Sequence, residues 1–250
     1  MSYRAIDLRF SNSILFARFV SPLIDNNVVD EFHRAIEDYE HAATAIVIEG
    51  TDEAFCLGVD LRISPESEGF PIDSLALYEL WERLAFGHFI TITHVKGRAN
   101  AGGIGFVASS DIAICDAEAE FGLSELLFGL LPACVLPFLI RRVGLQKANF
   151  LALTTLPICA DEAAAYGLVD ISSGNSGAVL QRQLTRLRRL TKESIGRYKA
   201  FSAELDDRVI QHKHFAVKSS SDAFRAERTL SGLRRYVERG LFPWEAEDQR

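Results

Sequence analysis

Apolar residues fall into two regimes along this chain. Up to about residue 175, short apolar bursts of strand length alternate with amphipathic stretches. From residue 176 onward only helical spacing remains. Residues 3–10 and 14–19 read as two strands joined by the turn Ser11-Asn12-Ser13. Residues 25–41 place Val28, Val29, Phe32, Ile36 and Tyr39 on one stripe with acids opposite, which predicts a helix. A strand at 46–49 follows. Residues 64–74, rich in Pro, Ser, Gly and acids, read as a mobile loop before a helix over 75–85. On that helix Tyr78 and Trp81 belong either to the core or to a cavity wall. Strands at 90–95 and 112–115, and one ending at Val169, continue the alternation expected when helices pack on sheets. The tail predicts helices over 179–190, 193–209 and 223–239. The reading is an α/β core over 1–175 with a C-terminal helical region over 176–250.

Composition adds limits. At 250 residues, 48% hydrophobic and 24% charged, the chain suits one large globular domain, with or without a helical appendix. The opening MSYRAIDLRF lacks the apolar core of a secretory signal. The longest apolar run, residues 133–140, is too short for a bilayer and contains Pro137. A cytoplasmic protein with no membrane span is expected. Cys56, Cys115, Cys134 and Cys159 are far apart in apolar contexts, which predicts reduced buried thiols and neither a disulfide framework nor a metal site. A net charge of −7 argues against nucleic acid as a partner. The charge is uneven: residues 21–90 carry fifteen acids and three bases, whereas residues 182–199 carry seven bases and one acid. Such a basic stretch is either a solvated helix face or a surface for an acidic partner.

The chemistry concentrates in two places. Gly102 and Gly103 sit where a strand turns into an apolar small-residue helix, a geometry that lets a ligand approach free backbone N–H groups at the positive end of the helix. Glu125, in Leu123-Ser124-Glu125-Leu126-Leu127, is a carboxylate set among apolar neighbours. Partial burial raises the pKa of such a group and suits it to moving protons near neutrality. His94, on an alternating strand, reads as a satisfied structural histidine.

Three ordered segments, AFCLGVDL, NAGGIGF and FGLSELLFGLLPA, resemble the crotonase family, also called enoyl-CoA hydratase/isomerase. The likeness covers nearly the whole chain. NAGGIGFV, GLSELLFGLLPACVLPFLIRR and RYVERGLFPWE are most similar to the polyketide-biosynthesis enoyl-CoA hydratases within it. The resemblance implies a crotonase-like β/α spiral whose last helices cover the active site and build a homotrimer or hexamer. It also implies oxyanion-hole amides at Val59 and Gly102, and proton transfer by Glu125. Around them it implies a substrate site drawing on Asp60, Asn100, Gly103 and Tyr78. Asp60 could instead hold its loop, and Asn100 could instead satisfy the turn. The family's second glutamate is missing, because Gly105 stands in its place. That departure points away from ordinary water addition and towards syn elimination by one carboxylate, with extra room at Gly105 for a branched acyl group.

The implied reaction is dehydration of a 3-hydroxy-3-methylglutaryl group carried on the phosphopantetheine of an acyl carrier protein or on CoA, without metal or redox cofactor. Arg182, Arg186 and Arg189, on one face of a helix, are the candidate surface for the acidic carrier protein. Decarboxylation of the 3-methylglutaconyl product, or a non-catalytic binding role on the same fold, are the alternatives.

Overall fold

The N-terminal hairpin forms as its turn residues require. β1 (Ile6–Ser11) pairs antiparallel with β2 (Ile14–Phe19) around Asn12 and Ser13, at φ +52° and +59°. Two consecutive positive φ angles match the twist of a tight hairpin. The computed structural model describes residues 3–62 and 71–245, so residues 64–70 of the predicted mobile loop lie outside the described residues. The chain continues through β3 (Leu23–Ile24), α1 (Asn26–Tyr39), β4 (Ala45–Glu49), β5 (Gly58–Val59), α2 (Ser74–Phe86), β6 (Ile90–Val95), β7 (Arg98–Asn100) and α3 (Gly102–Ser109). Next come β8 (Ile112–Asp116), β9 (Glu120–Gly122), a 3-10 turn (Glu125–Phe128), α4 (Leu136–Val143), α5 (Leu145–Thr154), β10 (Ile158–Cys159), α6 (Ala160–Tyr166) and β11 (Ile171–Ser173). The tail is α7 (Ser176–Leu187), α8 (Lys192–Leu205), α9 (Arg208–Arg225) and α10 (Glu227–Arg239).

Six strands form a sheet in the order β1-β2-β4-β6-β8-β11, parallel except for the hairpin. After each of β4, β6 and β8 the chain adds a short strand to a smaller sheet. β5 pairs with β3, and β7 lies between the Cys56 bridge and β9. This recurrence of one long and one short strand is the spiral. The central strands β2, β4, β6 and β8 are buried on both faces, which explains why they read as near-continuous apolar runs. Leu15, Ala17, Ile46 and Ile48 pack with Phe32 and Phe106 on one face. Ile14, Phe16, Ala45, Val47, Ile92 and Ile114 pack against Val179, Leu180 and Leu184 of α7 on the other.

Buried polar groups fix the joints. His94 is hydrogen-bonded through Nδ1 to Glu49 (3.0 Å) and through Nε2 to Ser176 Oγ (2.8 Å), while Ser176 donates to Asp116. The hydrogen bond to His94 holds the Glu49 carboxyl below its ordinary range. Ser176 is buried and lines neither of the two described cavities, so this Ser-His-Glu line pins α7 to the sheet. Lys199 of α8 makes a buried ion pair with Asp111 at 2.6 Å, and Asp111 also accepts from Thr91 N.

Two expectations for the tail need correction. The helix predicted over 193–209 stops at Leu205, because Asp206 is extended at φ −146° and its carboxylate accepts from Arg208 N. A full helix, α9, then fills the stretch between the two helices expected on either side of it. Cys159 also departs from the set of buried thiols. It is exposed, at the end of the short edge strand β10, whereas Cys56, Cys115 and Cys134 are buried. Among the described residues no helix is long and apolar enough to cross a membrane, and no cluster of His, Cys, Asp or Glu could hold a metal ion.

Candidate active site

The site is built where the small strands end. Gly58 adopts φ +96°, a conformation that strains any residue with a Cβ. In the parallel pairing of β5 with β3, Ile24 lies opposite Val59 and its carbonyl accepts from Asp60 N. β7 ends at Asn100, and Ala101 turns the chain at φ +49°, ψ −118°, a strained conformation for a non-glycine residue. The carbonyl of Ala101 accepts from Ile104 N, and Gly102 opens α3. As the first residue of a helix, Gly102 has no carbonyl one turn back to bond. The two turns touch: Val59 N lies 3.8 Å from where a Cβ on Gly102 would stand, and Gly102 N lies 3.2 Å from that position on Gly58. A Cβ on Gly102 would press on Ile24 Cδ1 at 2.9 Å, and one on Gly58 would press on the Ala101 Cβ at 2.9 Å, so a side chain at either position would force the two turns apart. Two such donors form a preorganised cradle for an oxyanion, and losing one donor of this kind costs about 3 kcal/mol of transition-state stabilisation.

Glu125 begins the 3-10 turn that follows β9. The residue keeps some surface, but its Oε2 is out of reach of solvent and has no hydrogen-bond partner. Burial pushes its pKa up to about 7, against a smaller opposing effect of the backbone amides of Glu125 and Ser124. Asn100 Nδ2 donates to Ser124 Oγ at 2.8 Å, which ties the oxyanion turn to the residue before the carboxylate.

Both features open onto one cavity of about 880 Å³, lined by Val59, Gly102, Asn100, Trp81 and Glu125 among others. Its volume is in the range of small-molecule sites. The far wall comes from the C-terminus. Tyr236 and Val237 of α10, with Gly240 and Phe242 beyond it, line the cavity, and Phe128 meets Tyr236 edge-on and stacks on Phe242, at centroid distances of 4.9 and 5.7 Å. The last helix therefore covers the turn that carries Glu125.

Several sequence assignments move. Tyr78 is not a cavity residue. It is fully buried, and its hydroxyl donates to Val209 O at 2.6 Å, anchoring α9. Trp81, one helical turn on, is the wall residue. Gly103 does not face the cavity either. A Cβ there would meet Cys56 O at 2.2 Å, so its role is close packing of α3 on the loop before β5. Asp60 lines the cavity but is clasped by Arg62 at 2.5 Å, and that partner holds its carboxyl below the ordinary range. The expected room at Gly105 is absent, because a Cβ there would lie 2.3 Å from Cζ2 of Trp81. Arg182 and Arg186 are exposed on α7, whose apolar side covers the opposite face of the sheet from α3, and no residue of α7 lines the cavity. Arg189 lies past the end of that helix. Ser74, Cys134 and Ser220 are lining residues that sequence reasoning missed. Ser74 and Trp81, seven residues apart on α2, could have been grouped by helical spacing. Burial pushes the Cys134 thiol up to about 11, and Ser220 is hydrogen-bonded to it.

The chain belongs to the enoyl-CoA hydratase/isomerase family, whose profile matches residues 9–247. Within it, the chain is 42% identical to the bacillaene synthase dehydratase PksH of Bacillus subtilis (strain 168), over 98% of both chains. A crystal structure of PksH superposes with a TM-score of 0.94, covering 97% of this chain and 100% of that one at 41% identity. An enoyl-CoA hydratase/isomerase from Xanthobacter autotrophicus Py2 shares the fold, with a TM-score of 0.86 at 20% identity over 96% and 95% of the two chains.

Proposed function

We propose that this enzyme is the dehydratase of a polyketide β-branching pathway, removing water from a 3-hydroxy-3-methylglutaryl group on the phosphopantetheine of an acyl carrier protein to leave the 3-methylglutaconyl thioester. It is a lyase of the enoyl-CoA hydratase kind. The observation that carries the reading is the solitary carboxyl. Of the two acids among the described cavity residues, Asp60 is neutralised by Arg62, and only Glu125 is free to exchange a proton. The thioester oxygen sits between Val59 N–H and Gly102 N–H. Glu125 takes the C2 proton, and the electron pair forms the enolate that the two amides stabilise. Its return closes the C2–C3 double bond, the C3–O bond breaks, and the same carboxyl protonates the departing hydroxyl to water. A tertiary C3 eases that departure, since it tolerates positive charge. No electrons leave the substrate, so the reaction balances without a metal or redox cofactor.

The 42% identity to a dehydratase of bacillaene synthase supports the pathway class. The carrier protein is the proposed partner and free CoA esters the alternative donor. Exposed Arg98, at the cavity, is the cation best placed to meet an acidic carrier. Homotrimer or hexamer formation is supported by two uncovered apolar faces: Phe150, Leu153 and Leu156 at α5, and Tyr198, Phe201 and Leu205 on α8. A cytoplasmic location fits a substrate built on intracellular carriers. Mass spectrometry of a carrier protein loaded with the 3-hydroxy-3-methylglutaryl group tests the reaction. Loss of water is expected. Loss of carbon dioxide would make the enzyme a decarboxylase, and an unchanged mass would make it a binding protein.

A further inference from the structure

Trp81 occupies the space that the missing glutamate would need. Its residue is 1% exposed and lines the cavity, and its ring carbons Cζ2, Cε2 and Cη2 crowd the position of a Cβ on Gly105. The indole is held edge-on against Phe106 and Phe138, at centroid distances of 6.0 and 5.9 Å. Yet Nε1, bonded to Cε2, is buried without a hydrogen-bond partner. A buried donor left unpaired is costly, and in native proteins such groups are few. Here the donor belongs to a residue of the cavity wall, and the same cavity is lined by Glu125, whose Oε2 is likewise unpaired.

We propose that the Trp81 indole N–H binds the departing β-hydroxyl of the acyl group and holds it on the side of the substrate that Glu125 serves. The inference rests on the dehydration reading. The hydroxyl oxygen accepts from Nε1–H with one lone pair, and the other lone pair takes the proton that Glu125 removed from C2. As the C3–O bond breaks, its electron pair goes to oxygen, water leaves, and the indole keeps its hydrogen throughout. One carboxyl can then perform both proton transfers, because the second partner supplies orientation and partial charge stabilisation without a proton. Trp81 and Gly105 form a matched pair: the glycine makes room for the ring, and the ring replaces the glutamate.

The test uses the full-length enzyme and two pantetheine thioesters, one 3-hydroxy-3-methylglutaryl and the other its analogue lacking the 3-hydroxyl. Trp81→Phe keeps the ring packing and removes the donor. Its kcat for dehydration should fall by about tenfold to a hundredfold, while deuterium exchange at C2 of the deoxy analogue stays near the parent rate. Equal losses in both assays, or full dehydration activity, would overturn the role of the indole while leaving the Glu125 mechanism intact. Failure of Glu125→Gln to affect either assay would sink the mechanism itself. A second measurement leaves Trp81 in place. The chain has two tryptophans, so the Trp81 indole resonance is assigned with Trp244→Phe. In Glu125→Gln enzyme, which retains substrate, that proton should move downfield with the hydroxy thioester and not with the deoxy analogue. No shift, or the same shift with both, would contradict the proposal.

Discussion

The side-chain amide of Asn100 donates to the hydroxyl of Ser124 at 2.8 Å. This contact joins the strand that ends in the Gly102 turn to the residue preceding Glu125, the proposed general base. Two features that arise 23 residues apart in sequence, the Gly102 N–H and the Glu125 carboxyl, thereby hold one geometry.

Cutting that tie should loosen the base relative to the enolate oxygen. Asn100→Ala is expected to lower kcat about tenfold with a smaller change in KM, since misplacement of reacting groups is felt mainly in the transition state. The circular dichroism spectrum should be unchanged. A variant with parental kcat would reduce Asn100 to a turn residue.

The raised pKa of Glu125 has consequences for both activity and stability. As a base it must be ionised, so kcat/KM should rise with pH and level off above about 7. Stability runs the other way. The folded state favours the protonated carboxyl, so the native protein binds more protons than the unfolded chain between the ordinary carboxylate range and about pH 7. Over that window unfolding free energy falls as pH rises. Glu125→Gln removes the burden. Denaturant titrations should show it more stable than the parent by on the order of 1–3 kcal/mol above pH 7, with the difference closing towards pH 4. A constant difference across that range would place the group outside the buried environment described.

Much of this site was legible because its signals are local. The hairpin, the glycine turn at residue 102 and the apolar setting of Glu125 each rest on a few adjacent residues. What sequence could not resolve depended on which way a helix is rotated. Tyr78 and Trp81 are both large and aromatic on α2, yet one anchors α9 through Val209 O and the other walls the cavity. The empty space inferred at Gly105 was filled from a residue 24 positions earlier. Gly102 and Gly103 are neighbours with opposite duties, one facing the cavity and one packed on Cys56 O. The basic stretch was plain in sequence, but only the two faces of the sheet show that α7 carries its first members, Arg182 and Arg186, away from the cavity.

Carrier recognition should therefore follow the cavity and not α7. Arg98→Glu is expected to raise KM for the carrier-bound substrate roughly tenfold through slower, salt-sensitive association, and to change KM for a pantetheine thioester little. Arg182→Glu with Arg186→Glu should alter neither. If the α7 pair alone weakened carrier use, the docking surface would lie on that helix.

The central claim is that one carboxyl performs the elimination. It is tested most directly by single-turnover mass spectrometry of Glu125→Gln with carrier protein loaded with the 3-hydroxy-3-methylglutaryl group. The change keeps shape while removing the base, so loss of water should slow by at least about 10²-fold, with binding of the loaded carrier retained. Water loss at near-parental rate would mean that another group moves the proton, and that Glu125 is buried for a different reason.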